Sequence, residues 1–286
     1  MSSHQQERRR DIRQAIFADE IGLEYGVYGD FRLRSACQPI YEVRDERLVP
    51  VAVEALVQPQ ILGESVSAQD FHDHIPFRDR LFVEGLSRAL HIRNYPFVGL
   101  EGVDLFFNFN PLINDHLGRA LGEIRDLVRH LSDYGLDPSK LVCEITEQAS
   151  ADDETLLAIV REMRRNGLRI AVDDFGAGHS TDLRVHLLEP DIVKIDGGWF
   201  AELCRHAAAE KLFRPLLCLL HDQGAKVLVE GIERPEQLRV ALDAGADLLQ
   251  GYLLARPVLT GTLLPETPLS IEGLVRPPAK IIPLFG

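Results

Sequence analysis

A single α/β domain, built as a closed barrel in which strands alternate with helices, is the fold class this sequence predicts. Three observations carry it. Short apolar runs rich in β-branched residues recur eight times between Arg34 and Gln250, and helical periodicity follows nearly every one from the second onward. The 286 residues suffice for one domain of this kind. Most of the runs end in a polar residue, as strands do when they deliver side chains to the mouth of a (β/α)8 barrel. The alternative, a doubly wound open sheet, needs a glycine-rich phosphate loop after an early strand, and neither GxGxxG nor GxxxxGK[ST] occurs.

The elements follow in order. Residues 1–10 are polar with nothing to pack and are expected to be disordered. Within an N-terminal segment of residues 1–30, the apolar positions Ile12, Ile16, Phe17, Ile21 and Leu23 predict a short helix. The barrel segment is expected over 31–262, with a C-terminal extension over 263–286. The first strand, near Arg34–Tyr41, holds Gln38 and also Pro39, which argues for an irregular or edge position. Six charged or apolar residues, VRDERL, separate it from Val49–Val57, which holds Glu54; that connection suits a hairpin and is too short for a parallel crossover, so the first strand should run antiparallel.

Helical spacing over Val66–Leu90 follows, with His72 and His74 read as surface loop histidines because they alternate and precede Pro76. The third strand, Val103–Phe109, carries Asn108, and an amphipathic helix runs from Ile113 to Tyr134. The fourth, Leu141–Ile145, carries Glu144, with Glu147 just beyond, and a helix over Asp152–Arg165 leads to Gly167. The fifth runs from Leu168 directly into Asp173 and Asp174, with Gly176 and Gly178 turning the backbone beside them. The sixth, Asp191–Ile195, carries Lys194, and the helical region Trp199–His221 is expected to break at Pro215. The seventh, Lys226–Val229, ends in Glu230, with Glu233 three residues on; a helix over Pro235–Ala244 precedes the last strand, Asp247–Gln250.

Thirty-one basic against 44 acidic residues give a net charge of −13, which excludes nonspecific binding to a nucleic-acid polymer. Cys37, Cys143, Cys204 and Cys218 are scattered without a CxxC pair and read as reduced thiols of a cytoplasmic protein. No run of 18 apolar residues predicts a membrane segment.

An Asp capping a helix would account for one acidic strand end. Several carboxylates converging on one mouth require cations to offset them. The polar set is all hard oxygen apart from Lys194, which suits Mg²⁺ or Mn²⁺ better than zinc, and two such ions would fit phosphodiester hydrolysis.

From about Phe31 to Pro257 the chain resembles the EAL family of cyclic di-GMP phosphodiesterases, through QPI at Gln38, EAL at Glu54, NFNP at Asn108, EITE at Glu144, DDFGAG at Asp173, KID at Lys194, EGIE at Glu230 and QGY at Gln250. The resemblance implies a TIM-type barrel with an antiparallel first strand and hydrolysis of cyclic di-GMP to linear pGpG. It implies that Glu54, Asn108, Glu144 and Asp173 are metal ligands, that Asp174 helps bind a second ion, and that Glu230 and Lys194 act on the attacking water. Glu233 and Gln250 would support the site, Gln38 would contact a guanine, and Glu147 would brace the loop after Asp173, which links metal binding to a homodimer.

The resemblance breaks where Glu189 and Pro190 alter the usual Leu-Pro before the sixth strand, and at three further places. Val57, Gln58 and Pro59 stand where the family has Leu-Arg-Trp, and the family arginine contacts substrate phosphate; His179 replaces an aromatic residue; Asp182 replaces an apolar one. An active enzyme and a silent EAL domain that binds cyclic di-GMP or a protein partner as a regulator both remain open at this point. A lyase on a metal-dependent barrel would place its base opposite the metal without the EITE and EGIE segments.

Overall fold

The computed structural model describes residues 11–110, 117–146, 153–177 and 182–275. The chain enters through a 3-10 turn, Ile12–Ala15, and two strands, β1 (Ile16–Ala18) and β2 (Glu24–Tyr28). The helix expected over 11–30 is therefore only that one turn. Ile16 and Phe17 lie instead in an antiparallel ribbon on the edge of β3 (Phe31–Arg44), with Ile21 and Leu23 in its turn, a pairing between segments that helical spacing alone does not reveal.

β3 turns at Asp45–Glu46 into β4 (Arg47–Ile61), with Asp45 in the left-handed region at φ 53. Most of the six-residue connection read from the sequence is thus paired strand, and the turn itself is two residues long. The barrel then continues through β6 (Asp104–Asn108), β7 (Leu141–Thr146), β8 (Arg169–Phe175), β9 (Ile192–Ile195), β10 (Lys226–Val229) and β11 (Leu248–Leu249), β5 being a two-residue pairing (Glu64–Ser65) beside β4. β11 closes the barrel against β3. That strand is antiparallel to both of its barrel neighbours, whereas β4 and β6–β11 run parallel, as the short first connection predicts. Pro39 sits beside a register shift at Ile40/Tyr41, between the stretch of β3 that pairs β12 (Val258–Leu259) and the stretch that pairs β11, where its missing N–H is not needed.

The helices lie outside. Ser67 caps α1 (Ala68–His74) by accepting from the Asp70 N–H, and the single helix expected over 66–90 is split because Pro76 forces Ile75 into an extended conformation before α2 (Arg80–Arg93). His72 and His74 are exposed but belong to the last turn of α1, not to a loop. The outer layer continues with α3 (Leu117–Leu131), α4 (Asp153–Arg165), α5 (Asp182–Leu188), α6 (Gly197–Leu203), α7 (Ala207–Asp222) and α8 (Pro235–Ala244). The break expected at Pro215 lies instead at 204–206, between α6 and α7. Pro215 is exposed inside α7, so the carbonyl its ring leaves unbonded can turn to solvent. β13 (Leu269–Ser270) pairs the start of β4, and α9 (Ile271–Val275) packs near α8. Among the described residues no helix is long and apolar enough to cross a membrane.

Two large apolar clusters fill the space between barrel and helices, and a third lies between the β3–β4 ribbon and α1–α2. The barrel interior has its own plug: Ile40, Ala52, Phe106, Val142, Ala171, Ile192, Leu228 and Leu248, all buried, one from each barrel strand.

Candidate active site

Side chains along a strand return to the same face every second residue. Two residues beyond the plug on each parallel strand, and two residues before it on the reversed β3, the barrel interior therefore presents Gln38, Glu54, Asn108, Glu144, Asp173, Lys194, Glu230 and Gln250. Sequence patterning singles out seven of these positions together with Asp174, Gln38 being implied by the family resemblance, and closure of the barrel puts the eight in one ring at the mouth.

Lys194 lies at its centre with 1% of its side chain exposed. Its Nζ is 2.5 Å from Glu144 Oε1, 2.8 Å from Glu230 Oε1, 3.1 Å from Asp173 Oδ1 and 3.2 Å from Glu54 Oε1. Burial alone would discharge this ammonium, but the surrounding carboxylates override it and hold its pKa well above the ordinary lysine value. One cation does not balance four anions. Burial pushes the pKa of Glu144 well up, and pushes that of Glu230 to about 8, against the pull of Lys194.

Hydrogen bonds order part of the ring. Gln250 Nε2 donates to Glu54 Oε2 at 2.9 Å, and Gln38 Nε2 donates to the Ala255 carbonyl at 3.1 Å. Glu144 Oε1 and Glu230 Oε1 are met by the Lys194 ammonium, whereas the buried Glu144 Oε2 has no hydrogen-bond partner among the described residues. Such an orphaned carboxylate oxygen is costly unless a further cation meets it.

Asp173 and Asp174 are both brought to the mouth by an irregularity. The register against β9 shifts between Val172 and Phe175, and Asp174 takes a left-handed φ of 58, so the strand turns there and the Asp174 N–H donates to Asp173 Oδ1 at 3.0 Å. Burial first, then the neighbouring Asp173, raises the Asp174 pKa. Gly176 at φ 104 follows, and any Cβ there would lie 2.7 Å from the Trp199 ring, so no other residue fits this turn.

The other expected positions are more open or stand apart from the ring. Asn108 is its most open member and is exposed. Glu233 is exposed on the loop after β10, where its backbone N–H donates to Gln237 Oε1. Gln58 lies on β4 directly opposite Arg34, further up the wall of the mouth. Glu147 and His179 lie outside the described residues, as does the side chain of Asp182. Sequence reading does not single out Arg34, although the step of two from Gln38 through Ala36 places it on the mouth-facing side.

Among the described residues no three Asp, Glu, His or Cys side chains already form a cage for a metal ion. The donor set nevertheless fits hard divalent cations, because it is all oxygen and includes a buried carboxylate oxygen, Glu144 Oε2, with no hydrogen-bond partner among the described residues. The EAL domain profile matches residues 30–257. The chain belongs to the EAL-domain family. It is 26% identical over 275 residues, 92% of its length, to PdeD of Escherichia coli, described as a probable cyclic di-GMP phosphodiesterase; the match takes in 47% of that protein. It spans less than half the length of the first curated relatives it matches. The EAL-domain protein YkuI of Bacillus subtilis, solved with cyclic di-GMP and calcium, superposes with a TM-score of 0.70 at 25% identity, over 82% of this chain and 57% of that one. BlrP1 of Klebsiella pneumoniae, solved with manganese and cyclic di-GMP, gives 0.68 at 26% identity, over 80% of this chain and 56% of that one. EAL-domain structures similar to this one therefore hold divalent metals together with the cyclic dinucleotide.

Proposed function

We propose that this EAL domain is a metal-dependent phosphodiesterase that opens one phosphodiester of cyclic di-GMP to give linear pGpG. The observation that carries the reading is the ring itself: four carboxylates around one buried lysine, with Glu144 Oε2 buried and without a hydrogen-bond partner among the described residues. A purely structural barrel has no use for so costly an arrangement.

Glu54, Asn108, Glu144 and Asp173, with Asp174, would hold two Mg²⁺ or Mn²⁺ ions. When bound, such ions lower the pKa of water and neutralise phosphoryl oxygens. With such cations beside it Glu230 would be ionised and would accept the proton of the attacking water; the water oxygen bonds to phosphorus, the bond to the 3′-oxygen breaks, and that oxygen takes a proton from solvent to become the free hydroxyl of pGpG. Lys194 holds Glu230 in place and supplies positive charge beside the phosphate as negative charge builds on it. Gln38, fixed by the Ala255 carbonyl, presents its amide to a guanine edge, and Gln250 fixes the orientation of Glu54.

One observation favours a second reading, a domain that binds the dinucleotide and reports it to a partner: Gln58 puts an uncharged amide where the family resemblance expects a phosphate-binding arginine. The two separate in one experiment. Purified protein with cyclic di-GMP and Mn²⁺ should release pGpG, detected by chromatography, and excess chelator should abolish it. Binding without any product would instead make the chain a receptor.

A further inference from the structure

We propose that Arg34 is a substrate-binding residue of this site, the cation that meets a phosphate of the bound dinucleotide from the β3 side of the mouth. The inference rests on the reading above, that the ligand is a cyclic dinucleotide.

The β3–β4 ribbon pairs Gln38 with Glu54, Ala36 with Leu56 and Arg34 with Gln58, and no bulge interrupts this stretch. Opposite residues on an antiparallel pair project to the same face, so Arg34 and Gln58 share the face of Gln38 and Glu54 and form the upper wall of the mouth. The intervening residues take the other side. Leu33 is buried in the cluster with Leu86 and Leu90 of α2, and Ser35 Oγ is 2.8 Å from His91 Nδ1 on the same helix. Side chains directly opposite each other have Cβ atoms about 5 Å apart. A guanidinium on Arg34 therefore sweeps the volume that a long side chain at position 58 would reach.

Arg34 is also available. Its one ionic partner among the described residues is Asp19, at 4.0 Å, and both side chains are partly exposed, so little holds the guanidinium there. Asp19 is itself fixed by the turn before β2, where its Oδ1 accepts from the N–H groups of Ile21 and Leu23. The neighbouring cations are engaged: the Arg32 guanidinium lies 3.6 Å over the Tyr25 ring, and that of Arg256 4.5 Å over Tyr252. A phosphate approaching a mouth lined by Glu54, Glu144, Asp173, Asp174 and Glu230 is repelled by each of them that is ionised. A guanidinium, with its forked pair of donors, is the side chain best suited to hold it. In this chain that charge stands on β3, one strand across from the neutral Gln58.

The test is calorimetric titration of cyclic di-GMP into the full chain, with Ca²⁺ replacing Mg²⁺ to suppress turnover, for wild type, Arg34→Gln, Arg32→Gln, Gln58→Arg and the exchange Arg34→Gln/Gln58→Arg. Arg34→Gln should weaken binding by about 10- to 100-fold, the effect of losing a hydrogen bond to a charged group. Arg32→Gln should stay within about threefold, and the exchange should recover most of what Arg34→Gln loses. Circular dichroism spectra that superpose on wild type establish that the variants are folded. Wild-type affinity in Arg34→Gln overturns the assignment while leaving the function intact, as does an equal loss in Arg32→Gln, which would make the effect one of general charge. A wild-type chain that does not bind the dinucleotide overturns both the assignment and the functional reading.

Discussion

Two layers of side chains share the interior of this barrel, one step of two residues apart on the same strands. The lower layer, Ile40 to Leu248, is wholly apolar; the upper, Gln38 to Gln250, gathers four carboxylates about Lys194. Backbone, curvature and pairing are common to both, so the side chains alone make the difference. Fully burying an aliphatic side chain such as Leu228 stabilises by about 1.5–3 kcal/mol, whereas each buried ion costs several kcal/mol until it is paired. The plug offsets the expense of the ring above it, and the ring can remain electrostatically incomplete, which is the state a cation-binding site needs.

The comparison breaks most sharply at Lys194. Lys194→Met leaves the carboxylates without their central charge, and near pH 8 without added metal the variant should lose about 3–5 kcal/mol in urea unfolding. Near pH 5 the loss should shrink. Glu230 has a folded pKa of about 8, above its ordinary value of 4.5, so the folded state holds its proton at the lower pH and one anion disappears from the ring. An equal loss at both pH values would mean that the ring is not the source of the cost.

Leu228→Ala probes the lower layer. It should cost about 2–5 kcal/mol by the same measurement, with a loss that does not change between those pH values. A strong pH dependence in this variant would show that plug and ring are not separable.

His91 sharpens the comparison from outside the barrel. It is buried on α2 beside Ser35, and burial lowers its pKa from 6.5 to about 4, with no carboxylate partner among the described residues. The unfolded chain then binds the extra proton between those values, so this group removes up to about 3 kcal/mol of stability as the pH falls through 6.5 toward 4. His91→Gln should abolish that slope, read from unfolding curves across the window. A slope unchanged in the variant would assign it to other groups.

Much of this arrangement is legible in the sequence because both layers obey a period of two. Glu54, Glu144, Asp173 and Glu230 stand in or directly after apolar runs, and the reversed direction of β3 follows from a connection too short to cross over. What escapes the sequence depends on partners distant along the chain or on solvent. Residues 11–30 have apolar spacing that fits a helix, yet beyond one turn their strands pair, β1 with β2 and β2 with β3. Pro215 looks like a helix break, and only its exposed position lets α7 run through it. The central place of Lys194 among four acids, and the position of Arg34 across from Gln58, come from strand order and register, which no local pattern encodes.

The measurement closest to the central claim is turnover of cyclic di-GMP by wild type and Glu230→Gln, both saturated with Mn²⁺ and substrate, with affinity measured alongside. Glutamine keeps the size of the side chain and cannot take a proton from water. If the ring performs phosphodiester hydrolysis, wild type should form pGpG and Glu230→Gln should be slower by roughly 10² to 10⁴, with affinity little changed. A wild-type rate no higher than that of Glu230→Gln, with the dinucleotide bound in both, would contradict it.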